Sequence, residues 1–111
     1  MKVKQYEIWL ADLNPAKGTE PGKRRPVVIV QTDLLNEVHL STLICPVTTN
    51  VREDVELLRV ALKKNKLDKP SDILVDQIRA IDNKRLISKL GVLTPDQVKR
   101  LRRNLATVLD L

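Results

Sequence analysis

Phenylalanine is absent from this chain, and Tyr6 and Trp9 are its only aromatic side chains. The core must therefore be built from leucine, valine and isoleucine, and stacking on aromatic platforms is a poor candidate for its main affinity toward a nucleic acid. Cys45 is the single cysteine. It excludes a disulfide framework or a paired-cysteine zinc site within one chain, and inside "LICPV" it reads as a buried, inert thiol. His39 is the single histidine, so acid–base catalysis by two histidines of one chain is excluded. No apolar run approaches the ~18 residues of a membrane span. The start, "MKVKQYEIWLAD", is interrupted by Glu7 and Asp12 and does not read as a secretory leader. The expectation is a cytoplasmic protein that does not contact membrane.

Charge is what the chain has in excess. Twenty Lys and Arg against fourteen Asp and Glu give a formal net charge of +6, with a sequence pI near 9.7. A domain this basic points to a polyanionic partner, nucleic acid first and an acidic protein second; the plainer alternative is a generally solvated basic surface. The 111 residues suit one domain, 1–111, burying roughly two thirds of the surface that the unfolded chain exposes.

"YEIWLADL", 6–13, alternates as a strand, with Ile8, Leu10 and Tyr6 on one face. "NPAKGTEPGK", 14–23, is a loop by its proline and glycine content, and long enough to be functional. "PVVIVQ", 26–31, is a continuous apolar run that reads as a strand buried on both faces. One helical turn is expected within 32–40 and a second buried strand at 41–50. "VELLRVALKK", 55–64, favours helix by local propensity, with strand as the alternative. "ILVDQIRAI", 73–81, reads as one strand followed by a turn at "DNK", and "LISKLGVL", 86–93, as another, with Gly91 at a bulge or close approach. Thr94, Pro95 and Gln97 spell the start of a capped helix, whose Val98, Leu101, Leu105 and Val108 fall on one face. Strands first and a helix last predict a mainly β, barrel-like sheet capped by a C-terminal helix.

"GKRRPVVIVQTD", 22–33, sets two arginines at the mouth of the buried strand. Pro26 forces Arg25 into an extended geometry, and alternation sends Arg24 to the opposite side. About ten residues join this strand to the one at 42–48, too few for a parallel crossover, so the pair should be antiparallel. Arg25 then neighbours Thr48 and Thr49, overhung by the loop that carries Glu20. A fixed guanidinium fork beside a hydroxyl matches phosphate oxygens. The competing account of Arg25 is a snorkelling surface residue, and of Thr48 an ordinary strand-end threonine.

"EIWLADLNPAKGTEPG", "RPVVIVQ", "CPVTTN" and "DQIRAID", in this order and spacing, resemble the MazF/PemK family of toxin endoribonucleases from bacterial type II toxin–antitoxin pairs. The resemblance spans nearly the whole chain and is weakest at 50–70. It implies an SH3-like small β-barrel and a homodimer. It also implies sequence-specific, metal-independent cleavage of single-stranded RNA (an mRNA interferase), without a cofactor. The 2′-hydroxyl would attack the adjacent phosphorus, leaving a 2′,3′-cyclic phosphate and a 5′-hydroxyl. Carried over residue by residue, the catalytic members are Arg25, Thr48 and Glu20. Lys17, Thr19, Arg24, Thr49, Asp76, Gln77 and Arg79 are candidates for RNA binding. Some members also carry an arginine two residues before the aspartate of "DQ"; Leu74 stands there in this chain. Arginine is a poor general base, which leaves Glu20 or the RNA for that role. The implied partner is an acidic, MazE-like antitoxin whose C-terminal segment orders on binding. Two rivals share the fold class: a toxin that poisons gyrase by binding and cuts nothing, and a non-catalytic RNA-binding barrel.

Overall fold

The computed structural model describes residues 2–14, 18–19, 23–63, 65 and 67–111. The chain begins with β1 (Glu7–Asp12) and β2 (Arg24–Ile29), which pair antiparallel with Ile8 opposite Val28 and Asp12 opposite Arg24. A four-residue helix, α1 (Asp33–Asn36), follows, its first turn capped by the Thr32 side chain. β3 (Ser41–Thr48) returns along β2, antiparallel as the short connection requires, with Val27 opposite Pro46 and Ile29 opposite Ile44.

β4 (Arg59–Leu62) and β5 (Ser71–Leu74) form the next antiparallel pair. The helix favoured for 55–64 is thus replaced by a strand at its centre. The reason is tertiary: Val60 and Leu62 are buried on one side, and Arg59 and Ala61 alternate with them. Burial on a period of two overrides a helix preference worth only tenths of a kcal/mol per residue.

The single strand read into 73–81 is two strands. β5 ends at Leu74, a 3-10 turn occupies Val75–Gln77, and β6 (Arg79–Asp82) follows. A second 3-10 turn at Asn83–Arg85 leads into β7 (Leu86–Val92), which pairs with β1. Between the pairs Ile8/Gly91 and Trp9/Lys89 that ladder slips by one residue. Gly91 sits at this bulge as read from the sequence, but a Cβ there would meet nothing within 4 Å and its φ is not positive, so neither close packing nor backbone strain requires glycine at this position.

The seven strands form one sheet in the order β4-β5-β3-β2-β1-β7, with β6 also on β3. β3 is the strand on which the sheet divides. Its first half pairs with β6 and its last two residues pair with β5, while β2 runs along its other edge. β2 supplies both cores, as its uninterrupted apolar run predicts. Val28 joins Ile8, Cys45, Ile73 and Leu101, and Val27 and Ile29 join Trp9, Ala11, Leu13 and Ile44. β1 likewise serves both cores. Tyr6 and Ile8 reach the first as expected, Leu10 is only half-buried, and Trp9, Ala11 and Leu13 build the second.

α2 (Pro95–Leu109) closes the first core. Thr94 Oγ1 accepts from the Gln97 backbone N–H at 3.3 Å and Gln97 Oε1 accepts from the Thr94 N–H at 2.9 Å, completing the capping box. Leu101 is fully buried, with Val98, Leu105 and Val108 packed around it. Burial of such a leucine is worth about 1.5–3 kcal/mol. Among the described residues, no helix is long and apolar enough to cross a membrane.

Candidate active site

The β2–β3 register places Arg25 at the mouth of its strand, beside the end of β3. Its Nη1 donates to the Val47 carbonyl at 3.5 Å, a long bond. Arg25 and Thr48 line one cavity of about 370 Å³, together with Thr19, Asp76 and Gln77. The 3-10 turn at Val75–Gln77 carries the last two of these to the rim, because β3 exchanges its β6 partner for β5 there.

Thr48 has a defined polarity. Its Oγ1 accepts from the Asn50 backbone N–H at 3.1 Å. One lone pair is thereby occupied, and among the described residues the hydroxyl proton has no acceptor. Thr48 and Arg25 are both half-buried, so they are held by the sheet and still reach solvent.

Three other described candidates lie outside this cavity. Arg24 is exposed on the strand position opposite Asp12 and does not line the cavity. Thr49 is exposed beyond the end of β3, outside the cavity lining. Arg79 is half-buried in β6 opposite Ile44, also outside it. Glu20 and Lys17 fall outside the described residues.

Five lining residues were not among the sequence candidates: Arg52, Val55, Leu58, Arg59 and Leu74. Leu74 is the register partner of Arg59 across β4 and β5, so an arginine does reach this wall, from the neighbouring strand. Arg59 Nη1 donates to the Asn50 carbonyl at 2.9 Å and to Asp72 Oδ2 at 3.1 Å. Asp72 is only 2% exposed and also accepts from the Arg52 backbone N–H at 2.9 Å. The alternation of "RVAL" with Val60 and Leu62 inward was the available signal for Arg59.

A second cavity of about 940 Å³ adjoins the first and shares Arg52 and Arg59 with it. Lys63, Lys99 and Arg103 line it, as do Glu53 and Glu56. Burial first and the Asp76 charge second push the Cys45 thiol up to about 12. Cys45 is fully buried in the first core, with its Sγ 3.8 Å from the Val75 carbonyl, so it is no nucleophile at neutral pH.

The family profile of the PemK-like, MazF-like toxins of type II toxin–antitoxin systems matches residues 4–109. The chain is 38% identical over 98 residues to the endoribonuclease MazF of Staphylococcus epidermidis, covering 86% of this chain and 82% of that protein. Its fold superposes on the crystal structure of MazF from Deinococcus radiodurans with a TM-score of 0.85 at 24% identity, covering 100% and 99% of the two chains. It superposes on a MazE–MazF structure from the same organism with a TM-score of 0.81 at 22% identity, covering 100% and 98%. The match across nearly all of the chain, on a mainly antiparallel sheet with a C-terminal helix, establishes that the chain belongs to the PemK-like, MazF-like toxins of type II toxin–antitoxin systems.

Proposed function

We propose that residues 1–111 form one toxin domain that cleaves single-stranded RNA at specific sequences without a metal ion. The observation that carries this reading is that Arg25 and Thr48 line one cavity, with no acceptor for the Thr48 hydroxyl proton among the described residues. The name of the Staphylococcus epidermidis relative, an endoribonuclease, supports the same reaction class.

In this reading the 2′-hydroxyl attacks the adjacent phosphorus and the 5′-oxygen leaves, giving a 2′,3′-cyclic phosphate and a 5′-hydroxyl. Negative charge builds on the non-bridging oxygens. Arg25 supplies a charged planar donor to them and Thr48 a neutral one. Both sit on paired strands of one sheet, so the stabilisation would be preorganised. Glu20, in the 14–23 segment of the sequence, is the proposed general base, with the RNA as its alternative. Thr19, Asp76 and Gln77 would contact the bases or backbone of the bound strand. Lys17, Arg24, Thr49 and Arg79 would add contacts further along it.

The protein acts, on this reading, as a cytoplasmic homodimer neutralised by a cognate antitoxin. The MazE–MazF structures of the fold support such a partner. The +6 charge makes an acidic antitoxin segment electrostatically fitting, and that segment would compete with RNA.

The test is incubation of the purified protein with a long single-stranded RNA in EDTA, followed by analysis of the ends. Discrete fragments with cyclic phosphate and 5′-hydroxyl ends are expected. Each phosphate neutralised on binding should add about −0.7 to the log–log salt slope. Cleavage that vanishes in EDTA and returns with magnesium would refute the metal-independent mechanism. Binding without cleavage would favour a non-catalytic barrel.

A further inference from the structure

We propose that Arg59 is a substrate-contacting residue that binds the RNA phosphate next to the scissile one, where the strand passes from the smaller cavity into the larger. This rests on the RNA-cleaving reading above and assigns the path that the strand takes out of the site.

Arg25 and Thr48 line only the smaller cavity, whereas Arg52 and Arg59 line both. A strand held at Arg25 and continuing into the larger cavity must cross one of these two arginines. They differ in what their guanidinium groups still offer. Arg52 has spent its side-on fork on Asp54, through Nε at 3.2 Å and Nη2 at 2.8 Å. Arg59 is anchored through Nη1 alone, to Asn50 and Asp72. Its Nε and Nη2 have no acceptor among the described residues, and these two form the edge that fits a phosphate bidentately.

The anchor also makes Arg59 a placed donor. Asp72 is nearly fully buried and is itself held by the Arg52 backbone N–H. Arg59 is therefore fixed by a carboxylate that cannot swing away, and less entropy is lost on binding than for a free surface arginine. Asp72 offsets much of its net charge, so the contribution is directional hydrogen bonding more than long-range attraction.

Beyond Arg59 the larger cavity continues this track along α2. Lys63, Lys99 and Arg103 line it with no ion-pair partner among the described residues, while Arg100 is held by Asp96 at 3.0 Å. Glu53 and Glu56 line the same cavity and repel a polyanion, which confines the strand to the Lys99 and Arg103 side.

The experiment uses an oligonucleotide spanning a mapped cut site, with the two linkages flanking the scissile one replaced in turn by a neutral methylphosphonate. Wild-type protein should lose about tenfold or more in kcat/KM, through KM, when one of these linkages is neutralised. Arg59→Gln should show the same loss on unmodified RNA and no further loss on that modified strand, because both changes delete one contact. Its binding should show a salt slope shallower by less than the about 0.7 of a full phosphate contact, because Asp72 already offsets much of the charge. The double variant Arg59→Gln/Asp72→Asn removes the buried unpaired carboxylate. If the single variant fails to fold by circular dichroism, the double variant carries the test. Independent, multiplying losses from the variant and both modified linkages would overturn the proposal. So would a loss confined to kcat, which would place Arg59 on the scissile phosphate. If the unmodified wild-type protein cut no RNA at all, the RNA-cleaving reading would fall first, and this proposal with it.

Discussion

Arg25→Ala should reduce single-turnover cleavage by at least 10²–10³-fold, and Arg24→Ala by about tenfold or less. The difference follows from the strand mouth. Arg25 is extended by Pro26 and shares a cavity with Thr48, whereas Arg24 is exposed and lies outside that cavity. A preorganised donor to a developing oxyanion contributes about 2.7–4 kcal/mol to the barrier, which is the 10²–10³ factor. Loss of one exposed cation weakens the field on a polyanion and moves no reacting atom, so about tenfold is its upper range. Thr48→Val removes the hydroxyl while nearly keeping the shape, and as a neutral donor it should account for a similar or somewhat smaller loss than Arg25. Among the described residues its side chain bonds to the Asn50 N–H alone, so the 48–50 turn should loosen slightly. Thermal melts of all three variants would separate folding from chemistry. The assay is single-turnover cleavage of one defined RNA at saturating protein, which isolates the chemical step from release. If Arg24→Ala proved slower than Arg25→Ala, or if Thr48→Val kept full rate, the β2–β3 wall would not be the reacting wall.

Three further outcomes follow from groups away from the reaction. Burial pushes the Glu7 carboxyl up, but hydrogen bonds from Lys89, Trp9 and the Lys4 backbone outweigh it and leave Glu7 below its ordinary 4.5. Its stabilisation is therefore complete above 4.5 and lost as pH falls through the lower folded value; melting temperature should drop in that range, and drop less in Glu7→Gln. The Cys45 thiol has the opposite sign: raised from 9.0 to about 12, it favours the folded state fully below pH 9 and less as pH rises above it. A thiol reagent at pH 8 should leave Cys45 unmodified in the native protein and react fully in denaturant. Thr94→Ala breaks the capping box of α2 and should lower stability by about 1 kcal/mol in a urea titration; an unchanged midpoint would mean that helix packing alone holds that end.

Much of this architecture was readable from one chain because it is written in local patterns. The capped start of α2 needs only Thr94, Pro95 and Gln97 in order. The antiparallel β2–β3 pair follows from a connection too short to cross over, and it alone brings Arg25 to Thr48. The errors lie where tertiary contacts decide. Residues 55–64 carry helix formers, but Val60 and Leu62 are wanted in the core that also holds Val47 and Ile73, which makes them a strand. The 3-10 turn at Val75–Gln77 interrupts an apolar run that shows no glycine or proline, because the break is imposed by the change of partner strand along β3. Arg59 was missed for the same reason: its place beside Leu74 exists only once β4 and β5 pair.

The departure at Leu74 can be argued further on physical grounds. An arginine at that position would approach the cavity from β5, next to Asp76 and one residue from fully buried Ile73 and Val75. Here the guanidinium comes instead from Arg59 on β4, the register neighbour of Leu74. From β4 it can reach Asp72, a buried carboxylate two residues earlier on β5, and be locked by it. An arginine at position 74 would stand two residues from Asp72 and two from Asp76, and Asp76 is an exposed carboxylate that anchors more weakly in water. The observed arrangement thus trades free charge for fixed direction. On the proposed reading, Arg25 would meet the developing charge at the reacting phosphorus, and Arg59 would hold the strand that carries it. Two guanidinium groups on one wall, one of them fixed by a buried carboxylate, can divide binding from catalysis. Replacing Asp72 with asparagine should test this division: KM for long RNA should change more than the single-turnover rate, because Arg59 loses its anchor while Arg25 and Thr48 stay in place.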